Sequence, residues 1–441
     1  MTTYHTVREI GRGGFGVVDE VETDKGEKFA LKTLAYPGNA SSADKADLRA
    51  RFEREVKYQG AIDHRHVVPI IGKNLKDDPP WFVMPLAEGS LQKELRDDRT
   101  LGGNPKKAIF DLLAGLEEVH RLGHKHRDLS PGNVLRFRDD DGSTYYAISD
   151  FGLMSPQAGV TTTLTDTNVA GGTLPYRAPE CATSFKRATE QADIYSVGAI
   201  LHDIFGTGGR IPHAELKANG AIGDVIAKCT KTNAKRRYKN VQELREALYD
   251  VLHSEDLKFE SDEDSYFGKL LQDSETLSDE QWDELFAHID RQDAAGKSTR
   301  ALLSAIRRTH VEGLLASAPE LFHALGMEYA AFAAKHSFDF DFCDVIATIA
   351  QLFYDDGEID LQANITLAML ELGTSHNRWF VERKFVSMAA PSISDELATR
   401  IVTEIDVQNF DIKRRLLHLK NSITVSDGDL HPKIDELGEE E

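Results

Sequence analysis

Cysteine is scarce: the 441-residue chain holds three, Cys181, Cys229 and Cys343. They are widely separated, with no CxxC or Cys/His spacing, so neither a disulfide framework nor a zinc site is expected; three buried free thiols are. Long apolar runs are missing too. No stretch approaches the ~18 consecutive apolar residues of a membrane span, and the opening "MTTYHTVREI" lacks the basic segment and apolar core of a signal peptide. A cytoplasmic protein with no membrane association is expected. A basic surplus is also absent, since 52 Lys and Arg face 73 Asp and Glu, a formal net charge of −21.

The acidity is confined to one end. Before His253, 35 basic residues balance 35 acidic ones, whereas from His253 onward 17 face 38, which marks a boundary and argues against nucleic-acid binding. "HSEDLKFESDEDSY" has neither a helical nor a strand period. The chain is therefore read as residues 1–252, an acidic linker 253–276, a helical region 277–425 and an acidic tail 426–441. With 41% hydrophobic and 28% charged residues, each folded part has the means to bury a core.

Strand-like stretches come first: "YHTVREI", the Gly-rich "GRGGFGVVDEV" and "KFALKTL". "ADKADLRARFEREVKYQGAI" follows, with Leu48, Phe52, Val56 and Ile62 at roughly helical spacing, then the strands "VVPIIG" and "WFVMPL". From "SLQKELRDD" and "KKAIFDLLAGLEEVHRLG" onward the pattern is mainly helical. A strand-rich lobe, 1–87, thus precedes a helical lobe, 88–252, in an α+β arrangement. Beyond the linker nearly everything reads as helix. "LSDEQWDELFAHIDR" opens with Ser278 and Gln281 in capping-box relation and sets Trp282, Leu285, Phe286 and Ile289 on one face. No fixed period recurs, so a helical bundle is expected rather than a solenoid. "YDDGEID" fails as a calcium loop, because with Gly357 at the turn the first and last ligands would be Leu352 and Ala363.

Chemistry concentrates before residue 252. Gly11, Gly13 and Gly16 lie between two strands, where a backbone without Cβ atoms folds closely over phosphates. A strand follows rather than a helix, which sets aside a dinucleotide site. "FALK" puts Lys32 on the next strand, within reach of phosphates, and Glu55 of "FEREV" is its candidate partner. Any one of these charges alone would be read as solvated surface. "HRDLSPGNVL" then supplies Asp128 and Asn133 at the spacing of a phosphoryl-transfer site.

In this order the motifs of residues 5 to 252 resemble a complete protein kinase domain of the eukaryotic-like serine/threonine type. The resemblance implies a bilobal kinase fold followed by an all-α domain, and a protein substrate phosphorylated on Ser or Thr. It implies that Gly11, Gly13, Gly16, Val18 and Ala30 enclose ATP, and that Lys32 and Glu55 form the ion pair aligning its phosphates. Asp128 would accept the substrate hydroxyl proton, while Asn133 and the Asp150 of "DFG" hold Mg2+, or Mn2+ in its place. Met84 resembles the residue guarding the back pocket, with Pro85 and Ala87 meeting adenine. Glu180 of "APE" would pair with Arg237, and Asp193 would anchor the catalytic loop from below.

Two departures stand out. Ser130 occupies the place where serine/threonine kinases carry a Lys, so the transition state loses a cation and the site is expected to be slower or to borrow one from elsewhere. Phosphotransferases acting on aminoglycosides and choline-like alcohols also lack that Lys, but do not carry "GTLPYRAPE" with its substrate-groove Thr173. A nucleotide-binding scaffold without catalysis is the other alternative, although such proteins usually lose one of the residues retained here. The second departure is a short interval from Asp193 to Arg237, which predicts a short substrate-docking helix.

In "TTTLTDTNVAGG" Thr165 and Thr167 fall where activation loops of similar kinases are phosphorylated, and Arg127 would clamp a phosphate there, so autophosphorylation is expected within the stretch that also holds Thr161, Thr162 and Thr163. Ser254, Ser261, Ser265, Ser274 and Ser278 are further candidates by composition. The C-terminal part is read as a sensor or partner-binding module for a basic partner, as an autoinhibitor, or as a bundle with a solubilising face.

Overall fold

The structure, a computed structural model, describes residues 2–13, 16–38, 40–139, 142–151, 174–183, 189–253, 261–291 and 297–438. Strands β1 (Tyr4–Gly13), β2 (Gly16–Thr23), β3 (Lys28–Leu34), β4 (Gly72–Asn74) and β5 (Trp81–Pro85) form an antiparallel sheet in the order β1-β2-β3-β5-β4. The alternation of β3 buries Ala30, Lys32 and Leu34 on one face. Helix α1 (Ser42–Gln59) starts from a capping box, the Ser41 hydroxyl accepting from the Asp44 N–H while the Asp44 carboxylate accepts from the Ser41 N–H. Its Leu48, Phe52, Glu55, Val56 and Gln59 are buried, the one-faced spacing of an amphipathic helix. Leu48, Phe52 and Val56 share a core with Leu34, Val68 and Phe82.

Two expectations are corrected here. The helix ends at Gln59, so Ile62, though buried, lies beyond it. "VVPIIG" does not form a strand. Val67 makes a single parallel bridge to Ile148 and β4 begins only at Gly72, because Pro69 has no N–H to give a ladder.

The second lobe contains β6 (Gly89–Ser90), β7 (Val134–Arg138) and β8 (Thr144–Ile148) as a three-stranded sheet. Its helices are α2 (Leu91–Asp97), α3 (Pro105–Arg121), α4 (Pro179–Thr183), α5 (Glu190–Phe205), α6 (Gly220–Cys229) and α7 (Val241–His253). Helix α3 is buried at Ala108–His120 and α5 at Ala192–His202, so both run through the core. A buried ion pair between Glu117 and Arg245 ties α3 to α7. Between Asp193 and Arg237 the chain leaves α5 at Phe205, runs without helix to Gly220 and forms the ten-residue α6.

The described residues divide into two compact units, 1–252 and 253–441. The second is all helix: α8 (Asp262–Asp273), α9 (Asp279–Asp290), α10 (Lys297–Ser304), α11 (Arg308–Ser317), α12 (Pro319–Lys335), α13 (Phe340–Asp356), α14 (Ile359–His376), α15 (Trp379–Met388), α16 (Asp395–Val407), α17 (Ile412–Ser422) and α18 (Pro432–Asp435). Helix α14 packs against α12, α13, α15, α16 and α17, a central element of the kind a stacked solenoid lacks.

Among the described residues of 253–276 and 426–441, expected as linker and tail, two parts are folded. Helix α8 sits inside the first segment, capped by Ser261 and Asp264, and buried Asp264 accepts from His288 at 2.7 Å. In the second, Leu430 and Ile434 are buried and the His431 N–H donates to the Ala389 carbonyl at 2.7 Å. All three cysteines are free and buried. Among the described residues no helix is long and apolar enough to cross a membrane. His323, Glu358 and Asp360 bring ligand atoms within 4.8 Å of one another. His323 already contacts Asp360 at 3.3 Å, at the positive end of α14.

Candidate active site

The glycine-rich turn joins β1 to β2, pairing Gly11 with Val18 and Gly13 with Gly16. A Cβ on Gly16 would stand 2.6 Å from the Thr33 carbonyl oxygen, whereas one on Gly13 would meet nothing within 4 Å. Gly16 is thus required by packing against β3, whereas a side chain at Gly13 would meet open space. One register step away Val18 faces Lys32, and Ala30 faces Met84 across β3 and β5. Pro85 ends β5, and Ala87 follows it at the edge of the same apolar cluster.

Lys32 lies at the centre. Its Nζ donates to Glu55 Oε1 at 2.6 Å and to Asp150 Oδ1 at 3.3 Å. Burial works against both charges of the inner pair. It pushes Glu55 up to about 7 in spite of Lys32, whereas Asp150 and Glu55 together outweigh it for Lys32, which is held above the ordinary lysine value. The sheet and α1 therefore meet the loop carrying Asp150 at one ammonium group.

A second construction holds the loop containing Asp128. Asp193, fully buried on α5, accepts from the backbone N–H of His126 at 2.9 Å and of Arg127 at 2.7 Å, and from His120 Nε2 at 2.9 Å. Burial alone would raise its pKa, but His120 and these N–H donors hold the carboxyl below the usual range. Arg127 and Asp150 both adopt left-handed backbone, with φ of 64° and 65°, a conformation that costs a non-glycine residue about 1 kcal/mol or more and persists where its surroundings over-determine it. His126 Nε2 donates to the Ser149 carbonyl at 3.0 Å and its ring packs 5.0 Å from Phe151. The Asn133 side-chain amide donates to the Asp128 carbonyl at 2.8 Å, and the Asn133 carbonyl accepts from Ser149 N–H at 2.8 Å. Glu180 and Arg237 form a two-point ion pair at 2.7 and 2.8 Å.

Lys32, Glu55 and Asp150 are thus directly joined, Asp128 and Asn133 are held on one loop braced by Asp193, and Glu180 and Arg237 pair with each other elsewhere in the lobe. Thr161, Thr162, Thr163, Thr165, Thr167 and Thr173 lie outside the described residues. Two contributors stand out only in three dimensions. His120 reaches Asp193 across 73 residues, and Arg177 brings Nη2 to 3.5 Å from Asp128 Oδ1. The signal for Arg177 was a cation three residues before Glu180 in "YRAPE".

The five-stranded sheet with its glycine-rich turn, the strand lysine bridged to two carboxylates and the braced HRD loop are the arrangement of the protein kinase fold. Residues 4–262 match the family described as Protein kinase domain, and the chain belongs to that family. Its similar proteins are serine/threonine kinases. The probable serine/threonine-protein kinase PknB of Lactococcus lactis is 29% identical over 293 residues, 60% of this chain and 44% of that protein. AfsK of Streptomyces griseus is 31% identical over 214 residues, 47% of this chain and 24% of its own. PknH of Mycobacterium tuberculosis is 35% identical over 205 residues, 45% and 31% of the two chains. The chain spans less than half the length of these curated relatives.

Proposed function

We propose that the chain transfers the γ-phosphate of ATP to serine and threonine hydroxyls of protein substrates. The observation that carries this reading is the Lys32 ammonium held between Glu55 at 2.6 Å and Asp150 at 3.3 Å. Such a lysine orients the α- and β-phosphates, and Asp150 is left beside it to take a metal ion. The donor set fits magnesium. Asp150 offers a carboxylate, and because the Asn133 amide nitrogen is committed to the Asp128 carbonyl, the atom Asn133 offers a cation is its Oδ1; hard oxygens suit Mg2+. Bound there, the ion would neutralise phosphate charge.

Asp128 accepts the proton of the substrate hydroxyl as that oxygen bonds to the γ-phosphorus. The bond from the γ-phosphorus to the bridging oxygen breaks, and ADP leaves. Gly11, Gly13 and Val18 cover the nucleotide from above, and Ala30, Met84, Pro85 and Ala87 form the adenine side, where Pro85 needs only its carbonyl. Catalysis is assigned to residues 1–252. The threonines from 161 to 167 are the proposed autophosphorylation sites, since Arg127 directly precedes Asp128 and offers a phosphate a bidentate partner. The acidic second unit is assigned to sensing or binding a basic partner, and three buried thiols suit a reducing, cytoplasmic setting.

The test is incubation of the purified chain with Mg2+ and γ-labelled ATP, beside Asp128→Asn, with a basic protein substrate and mass mapping. Label on Ser or Thr that vanishes in the variant supports the reading. ATP binding with no transfer to protein, or transfer unaffected in the variant, overturns it.

A further inference from the structure

Three histidines of the second unit, His288, His418 and His431, hydrogen-bond to carboxylates at 2.7, 2.8 and 3.1 Å. A fourth is placed differently. His323, on α12, brings Nε2 to 3.3 Å from Asp360 Oδ2 without the alignment of a hydrogen bond. Glu358 completes a group whose three ligand atoms lie within 4.8 Å of one another. Among the described residues none of these three side chains makes a hydrogen bond, so their lone pairs are open to a shared third atom. The frame beneath them is fixed by packing. Three residues along α12, a Cβ on Gly326 would stand 2.8 Å from Leu361 Cδ1, next to Asp360, and 2.9 Å from Phe353 Cδ1. Gly326, Leu361 and Phe353 are buried, and Glu358 caps α14 while Asp360 is its second residue. His323 and the start of α14 are therefore brought together by closely packed helices rather than by loops.

We propose that His323, Glu358 and Asp360 bind a divalent ion of the zinc class. One imidazole nitrogen and two carboxylate oxygens are a donor set that zinc takes, with a fourth position left to water. Bonds of about 2.0–2.1 Å place neighbouring ligands of a tetrahedral ion about 3.3 Å apart, which is the separation of His323 Nε2 and Asp360 Oδ2. Glu358 is exposed, so its carboxylate closes on the ion by side-chain rotation alone. The charge balance is favourable, since two carboxylates outweigh the roughly half positive charge of a helix N-terminus. Glu358 and Asp360 also line an open hollow of about 850 Å3 beside α16, which gives an ion and its water a way in. Arg400, the cation in that wall, is paired with Glu404 at 2.8 Å. The scarcity of cysteine excludes a thiolate site, and this one uses no thiolate. Bound there, the ion joins α12 to α14 and makes the stability of the second unit depend on metal, independently of phosphate transfer.

The test uses the full chain, freed of metal with a chelator and titrated calorimetrically with ZnCl2, comparing wild type, H323Q, D360N, E358Q, and H323Q combined with D360N. One zinc per chain is expected in wild type, with a melting temperature that zinc raises in wild type and leaves unchanged in the double variant. H323Q and D360N should each weaken binding by about 10²-fold or more, and E358Q by about tenfold. X-ray absorption at the zinc edge of the one-to-one complex should show nitrogen and oxygen donors without sulfur. Melting temperatures of the metal-free variants report whether they fold, and E358Q, changed at an exposed position, keeps the comparison should the other two not. No zinc uptake by wild type, an affinity unchanged in the variants, or sulfur donors at the ion overturns the assignment. Zinc held at several weak sites that the substitutions leave untouched, an adventitious ion only, overturns it equally.

Discussion

In residues 1–252 Lys32 and Asp193 each gather partners from several segments, whereas the buried carboxylates Asp264, Asp344 and Glu382 of residues 253–441 are each matched to one neighbouring segment. Lys32, Glu55 and Asp150 meet within one hydrogen-bonded group, and Asp193 gathers His120, His126 and Arg127. The second unit works pairwise. Asp264 joins His288, Asp344 takes Arg378 through two bonds at 2.8 and 2.6 Å, and Glu382 accepts from His418 at 2.8 Å and Ser422 at 2.7 Å. A matched pair between two helices fixes their packing and leaves little field outside itself. A lysine shared by two carboxylates on different segments holds a cation ready for phosphate, at a desolvation cost that the packing around it has to offset. Overall charge divides the opposite way, neutral in the first unit and −21 in the second.

The sharpest way to break this comparison is at the convergent site. Lys32→Met is expected to lower phosphate transfer by at least about 10²-fold in initial-rate measurements at saturating Mg-ATP; turnover near wild type would remove the convergence from function. Asp344→Ala removes a two-point carboxylate from Arg378 and is expected to cost the second unit about 3–5 kcal/mol, read by denaturant unfolding. ATP titration of the same variant should give wild-type affinity, and a lost nucleotide site would mean that the units are not separable.

A third measurement sharpens the pairwise side. His310 is fully buried, its Nδ1 accepts from the Arg307 N–H at 3.1 Å, and its Nε2 donates to the Ser274 carbonyl at 2.8 Å. Burial lowers its pKa to about 4. Because the folded state holds this proton less tightly than the unfolded chain, whose histidine titrates near 6.5, the stabilisation is present above pH 6.5 and is lost as pH falls toward 4, by at most about 3 kcal/mol. His310→Gln should flatten that part of the pH dependence of unfolding, and an unchanged slope would assign it to other groups. The smallest effects come from two close approaches, one in each unit. A Cβ on Gly115 would lie 2.2 Å from the His66 carbonyl oxygen and one on Gly373 2.9 Å from the Glu382 nitrogen. Gly115→Ala and Gly373→Ala should each cost about 1–3 kcal/mol in thermal unfolding, with Gly115→Ala the larger.

How much was legible follows from the same contrast. Family motifs are fixed residue types at fixed spacing, so Lys32, Glu55, Asp128, Asn133 and Asp150 stood out as letters in order, and the structure joins Lys32 to Glu55 and Asp150 and Asn133 to the Asp128 backbone. Helix α8 did not stand out, because its acidic composition hid the Ser261–Asp264 cap, although the same kind of signature at Ser278 was read correctly and formed. The segment around Leu430 and Ile434 was hidden likewise, two buried side chains counting for less than a run of acids in any local average.

The sequence alone determined the order of the two lobes, the motif residues that mark the protein kinase family and the helical character of the second unit, since each is written in local period or in residue types at fixed spacing. Only the tertiary structure decided that "VVPIIG" is not a strand, that His120 sits under Asp193, and that a cation reaches Asp128 from Arg177, 49 residues away. Such contacts depend on how distant segments are brought together, and no local spacing carries that information.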